Sequence, residues 1–304
     1  MFVARKTIAT RNASKSDKLS LNDALRREKS VLQKLLALGT DHRHLVELFA
    51  SYKLDGNYYL LLTCADYDLE DLFDKNSGPP EFGTTAEQQS ATLYGSLYCL
   101  ASALDYLHRL PNHHPDLGLS EIIYHHDLKP ANILIKGKKF LVADFGLSGL
   151  KHQDDTKTDW HGGTYSYSPP EYLSSFKTTS ASGGRQVDIW SLGCIFSEIV
   201  TLAIKGWRSD SVSRFKSWRA NGPSVHLFNP DAPDSSFHNN LPEVKSWLHD
   251  ILAKDGNSLT SLVGIIDRTL SIEPAKRPSS EILCQDLTRV LPRGYLDICG
   301  CART

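Results

Sequence analysis

The chain has 304 residues, 40% of them apolar, enough for one large or two small domains with a substantial core. Lys and Arg number 34 against 35 Asp and Glu, a formal net charge of −1, so the broad basic footprint of a nucleic-acid binder is missing and no nucleic-acid partner is expected. Six cysteines at positions 64, 99, 194, 284, 299 and 301 show no metal-type spacing, which fits a reducing intracellular compartment, cytoplasmic or nuclear.

Val3-Ala4-Arg5-Lys6 reads as a short strand in which Lys6, taken alone, would be a solvated residue. Leu25, Glu28, Leu32 and Leu35 recur at helical spacing, which predicts an amphipathic helix from Asn22 to Leu38 with Glu28 inside its apolar stripe. A carboxylate there is costly to bury unless paired. Leu45 to Tyr52 and Tyr58 to Leu62 read as two strands around the Asp55-Gly56-Asn57 turn, and Asp68 as the cap of a helix beginning near Leu69. Asn76 to Pro80 is a turn-rich break, Ala86 to Arg109 a helix, and Leu110 to Ser120 a loop. His108, His113, His114, His125 and His126 lie near that loop, but cysteine and carboxylate partners at ligand spacing are missing, so a solvated loop is expected rather than a zinc site.

The most informative string is YHHDLKPANILI, Tyr124 to Ile135, followed by ADFG from Ala143 to Gly146. A hydroxyl attacking a terminal phosphate needs a proton acceptor that also holds it in line, which Asp127 can supply. Lys129 can neutralise charge on the migrating group. Asn132 and Asp144 offer hard oxygen ligands suited to magnesium. Ile133 to Ile135 and Phe140 to Ala143 read as strands joined by the Lys136-Gly137-Lys138 turn, so a hairpin fixes the spacing of the two metal ligands. Beyond them, Ser174 to Gly184 is a Ser/Thr/Gly-rich connection, and no apolar run reaches membrane-spanning length.

Here the sequence resembles the eukaryotic protein kinases of Ser/Thr type, whose catalytic loop H-R-D-L-x-x-x-N and D-F-G motif have these roles. The resemblance implies an α+β, two-lobed fold: a small β-rich lobe with the hinge over 1–65, a mainly helical large lobe over 66–294, and a tail over 295–304. It implies ATP and Mg2+ as cofactors and a protein Ser/Thr hydroxyl as substrate. Val3-Ala4-Arg5-Lys6 is similar to the V-A-I-K strand, making Lys6 the phosphate lysine, Glu28 its partner and Ala4 a roof over adenine. Leu62 would guard the back of the pocket, Thr63 to Ala65 would form the hinge, and Asp68 and Leu134 would complete the nucleotide contacts. Gly163 to Glu171 resembles the G-T-x-x-Y-x-A-P-E end of an activation segment, with Thr164 marking the Ser/Thr form. Asp188 would anchor the catalytic loop from below, and Arg277 would pair with Glu171.

Three departures qualify that expectation. No G-x-G-x-x-G precedes Lys6, so the small lobe is expected to lack its first strands and to bind nucleotide weakly, in a chain either shortened at its amino terminus or degenerate. The degenerate alternative is a pseudokinase that binds partners through its large lobe. His126 stands where most kinases carry the arginine that reads activation-loop phosphate, so control through Thr156 or Thr158 is not expected. Ala131 replaces a glutamate common in kinases that prefer basic substrates.

Overall fold

The computed structural model describes residues 2–8, 15–39, 42–152, 163–175, 184–207, 210–222, 233–254 and 260–298. Thr156, Thr158, most of the Ser/Thr/Gly-rich connection, Cys299 and Cys301 lie outside them. Chain order begins β1 (Val3–Ile8), α1 (Lys15–Ala37), β2 (Leu48–Leu54) and β3 (Asn57–Thr63). These strands form an antiparallel sheet in the order β1-β3-β2. The β2–β3 turn is a two-residue hairpin closed by the Leu54–Asn57 pair, with Asp55 at φ 48° and Gly56 at φ 80°. Positive φ at both central positions matches the strand twist, and glycine takes the second without a Cβ penalty. The helix starts at Lys15 rather than Asn22, because its first turns are polar and give periodicity nothing to register. Its buried residues Leu25, Val31, Leu32 and Leu35 face the sheet side of the core together with Glu28.

The second part contains β4 (Tyr67–Asp68), α2 (Leu69–Phe73), α3 (Ala86–His108), α4 (Leu110–His113), β5 (Glu121–Tyr124), β6 (Ile133–Lys136), β7 (Lys139–Val142) and β8 (Gly149–His152). It continues with α5 (Pro170–Ser175), α6 (Arg185–Lys205), α7 (Ser211–Arg219), α8 (Leu241–Lys254), α9 (Ser261–Thr269), α10 (Ser280–Val290) and α11 (Arg293–Ile298). The hairpin β6–β7 pairs with β4, and β5 pairs with β8. Two backbone bonds join the parts: Val46 donates to the Val142 carbonyl at 3.0 Å, and Val142 to the His44 carbonyl at 2.9 Å.

Every residue of α6 from Val187 to Ala203 is buried, so the helix is covered on all sides and serves as the central post of the core. By length and composition α6 is apolar enough to cross a membrane, which the sequence reading missed, yet 94% of its apolar window is buried within the fold.

Two expectations are corrected. Leu110 to Ser120 is not an irregular loop, since it holds α4 and a 3-10 turn over Pro115–Leu117. Pro111 and Pro115 stand at the second and first positions of these pieces, within the first turn, where a missing N–H costs nothing. The tail expected from residue 295 begins inside α11, where Tyr295 stacks on Tyr94 at 5.9 Å and Leu296 is buried.

Candidate active site

The alternation of β1 puts Lys6 on the face that looks toward α1. Its ammonium lies 2.9 and 3.0 Å from the two oxygens of Glu28 and 2.9 Å from Oδ1 of Asp144. Glu28 is only 3% exposed. Burial pulls the Lys6 ammonium down, but the two carboxylates outweigh it and leave its pKa raised. Glu28 has a single cation, shared with Asp144, so burial dominates there and pushes its carboxyl up. Asp144 is also pushed up by burial, but Lys6 and the Gly146 N–H outweigh that and hold it below the usual carboxylate range.

Asp144 sits in the left-handed region at φ 63°, which turns its carboxylate toward Lys6, and His126 does the same at φ 66° just before Asp127. Such backbone is strained for a non-glycine residue and persists only where surroundings fix it. Asp188 supplies that restraint from α6, accepting the N–H of His125 at 2.8 Å and of His126 at 2.7 Å. It also takes His108 Nε2 at 2.9 Å. Burial pushes Asp188 up, but the His108 hydrogen bond and the neighbouring imidazoles outweigh it and bring its pKa to about 2.

Above this anchor Asp127 is held from three sides. Its Oδ1 accepts the N–H and the hydroxyl of Thr164, both at 2.9 Å. Lys129 reaches Thr164 Oγ1 at 2.9 Å and Asp127 Oδ2 at 3.1 Å. Asn132 donates Nδ2 to the Asp127 carbonyl at 2.7 Å and to Oδ2 at 3.2 Å, which leaves its Oδ1 as the hard oxygen. The Ala143 N–H donates to the Asn132 carbonyl at 2.9 Å, so the hairpin ties the catalytic loop to the segment carrying Asp144.

The structure therefore brings Asp127, Lys129, Asn132 and Thr164 into one cluster and Lys6, Glu28 and Asp144 into another. The remaining sequence-predicted residues lie on strands, or for Ala65 in the link between β3 and β4, rather than joining either cluster. Ala4 pairs in register with Leu62, and Asp68 with Leu134. Thr63 turns back to Glu47, accepting its N–H at 3.1 Å, and Ala65 is half-buried. Asp68 caps α2 through a reciprocal box with Asp71, whose N–H it accepts at 2.8 Å.

Sequence reading missed two supports. The His125 ring bridges the Asp127 N–H, 3.3 Å from Nδ1, and the Ala143 carbonyl, 2.9 Å from Nε2. The two-residue spacing of His125 and Asp127 was the available signal. The second support is a buried trio in which Tyr167 donates to Glu198 at 3.0 Å and Arg219 pairs with Glu198 at 3.2 Å. Arg277 meets Glu171 with two bonds of 2.7 Å and lies over the Trp190 ring at 5.0 Å. Among the described residues, no group of His, Cys, Asp and Glu is arranged to hold a metal by itself.

Residues 1–287 match the family described as protein kinase domain. The chain is 34% identical over 180 residues to cell division control protein 2 homolog 3 of Trypanosoma brucei brucei, covering 57% of this chain and 47% of that protein. It is 29% identical over 205 residues to a probable cell division protein kinase of Encephalitozoon cuniculi, covering 65% and 63%. Against the serine/threonine-protein kinase mph1 of Schizosaccharomyces pombe the identity is 26% over 268 residues, covering 82% and 34%. The matches thus span about a third to two thirds of the length of these relatives.

Proposed function

The chain belongs to the protein kinase domain family, and on that premise we propose that it transfers the γ-phosphate of ATP, with magnesium, to Ser or Thr hydroxyls of protein substrates. The observation that carries this reading is the Asp127 cluster, in which one carboxylate is fixed by Thr164, Lys129 and Asn132. An ionised carboxylate has about four lone-pair sites, and four donors already face Asp127, so a substrate hydroxyl would take the place of one of the two longer contacts on Oδ2, from Lys129 at 3.1 Å or Asn132 at 3.2 Å. The hydroxyl oxygen then bonds to the γ-phosphorus, the bond to the leaving diphosphate oxygen breaks, and the proton passes to Asp127. Lys129, held between Thr164 and Asp127, places positive charge beside the transferring group.

The donor chemistry fits a magnesium nucleotide. Lys6 and the Gly146 N–H engage Oδ1 of Asp144, which leaves Oδ2 for a cation, and Asn132 Oδ1 is a second oxygen of the same hard type. When bound, magnesium would neutralise charge on the phosphates. The protein's part is to hold Lys6 against Glu28, so that its ammonium stays aimed along the cleft.

The His126 ring packs against Tyr124 at 4.1 Å and edges toward Tyr172, supporting a packing role where an arginine would read phosphate. On this reading activity does not require phosphorylation of the activation segment, and the protein works inside the cell, in cytoplasm or nucleus. The test incubates the full chain with magnesium ATP and panels of Ser/Thr peptides and small-molecule acceptors. Transfer to peptides, abolished by Asp127→Asn, supports the proposal. Absence of both transfer and magnesium-dependent nucleotide binding would instead favour a partner-binding pseudokinase.

A further inference from the structure

On the far side of Asp188 from the catalytic loop lies a polar cleft of about 290 Å³, lined by His108, Arg109, Asn112, Arg185, Gln186 and Ser280 among others. The first turns of α6 and α10 both border it; Ser279 caps α10 by accepting the Ile282 N–H, whereas Gly184 precedes α6 and gives it no side-chain cap. Helix N-termini present unsatisfied N–H groups and partial positive charge. Arg185 adds a full charge, while Arg109 is already paired with Glu281 at 3.0 Å.

Two buried polar atoms on the wall carry the argument further. His108 is 1% exposed, and its Nε2 is committed to Asp188, yet its Nδ1 has no hydrogen-bond partner. Oε1 of Gln186 is likewise buried without one. Unsatisfied buried polar atoms are rare and costly, and here both border one cleft. Oε1 of Gln186 can only accept and so calls for a donor from the ligand, while Nδ1 is the His108 ring atom left for a second bond because Nε2 faces Asp188. The site thus asks for negative charge and a hydroxyl proton in one small group. A phosphate carrying a P–OH meets both demands, whereas sulfate at neutral pH brings charge without a proton.

We propose that this cleft binds free inorganic phosphate, which keeps a P–OH as hydrogen phosphate at neutral pH, and that its occupancy is passed through His108 and Asp188 to the backbone of His125 and His126. The test titrates the full chain with inorganic phosphate, sulfate and O-phosphoserine by calorimetry, and follows histidine ring nitrogens and backbone amides by nuclear magnetic resonance. Saturable phosphate binding is expected, with sulfate at least about tenfold weaker and Arg185→Gln weakening phosphate by about tenfold. The His108 Nδ1 resonance and the His125 and His126 amides should move with the same saturation curve. O-phosphoserine, mostly a dianion without a P–OH at neutral pH, should bind more weakly than phosphate, and tighter binding would overturn the requirement for a P–OH. The proposal is overturned if phosphate fails to saturate, if sulfate binds equally well, or if the His108 resonance stays fixed. None of these readouts depends on phosphoryl transfer.

Discussion

Thr164 gives both its backbone N–H and its hydroxyl to the same oxygen of Asp127, each at 2.9 Å. The segment around Thr164 is thereby clamped to the carboxylate proposed as the acceptor of the substrate proton. Lys129 touches the same hydroxyl, so one methyl-for-hydroxyl exchange loosens two partners. Hydrogen bonds to a charged group contribute about 1.5–3 kcal/mol, and Thr164→Val is therefore expected to lower kcat about 10- to 100-fold. Thr164→Ser keeps the hydroxyl and should stay within about threefold of the parent. An undiminished kcat in Thr164→Val would show that the hydroxyl bonds do not matter.

Asp127→Asn and Asp144→Asn are expected to separate chemistry from binding. The first removes the proton acceptor while keeping shape, so transfer disappears while magnesium-dependent nucleotide binding persists. The second weakens the carboxylate proposed to hold the cation and releases Lys6, so nucleotide affinity itself should fall. Paired nucleotide titrations and turnover assays decide it, and a fully active Asp127→Asn protein would remove Asp127 from its assigned role.

Much of this site was legible because its determinants are local. The Asp55-Gly56 hairpin, the Asp68 cap and the Asp127-to-Asn132 spacing each depend on neighbours within a few residues, and Glu28 betrayed itself as an acid inside an apolar stripe. The His108–Asp188 bond and the Glu198–Arg219 pair join residues that meet only when α6 is packed at the centre of the fold. No periodicity encodes such a meeting. The α4 segment was misread because prolines and histidines resemble loop composition, although proline within a first turn opens a helix as readily as it ends one.

Lys6 and Glu28 form a pair in which one member is almost wholly buried and the other about a third exposed, with side-chain exposures of 3% and 35%. Lys6→Met leaves the Glu28 carboxylate buried with no cation, and partial solvent access at Lys6 moderates the cost to about 1–3 kcal/mol. Adding Glu28→Leu should recover part of it, since the orphaned charge is then gone. Denaturant unfolding of the parent, the single variant and the double variant measures the coupling. A double variant less stable than Lys6→Met alone would contradict the pairing as a source of stability.

His42 sets the expected acid sensitivity of the fold. Burial is the main influence on its imidazole, reinforced by the nearby His44 and His113 and opposed by Asp105, and together they lower its pKa from 6.5 to about 3. The ring is held neutral by a 3.2 Å contact to the Ser102 hydroxyl and by packing on Tyr106 at 5.2 Å. Since the unfolded chain takes up a proton near pH 6.5 and the folded one only near pH 3, stability is complete above 6.5 and falls as pH drops through that window. The slope approaches 1.4 kcal/mol per pH unit, so His42 should account for about 1–2 kcal/mol of stability lost between pH 7.5 and pH 5, the lower figure allowing for the partial exposure of the ring. His42→Gln can still donate to Ser102 but cannot take a proton. Its unfolding free energy should therefore be flatter than the parent's over that interval by the same amount. Parallel curves for the two proteins would show that another group, not His42, carries the acid response.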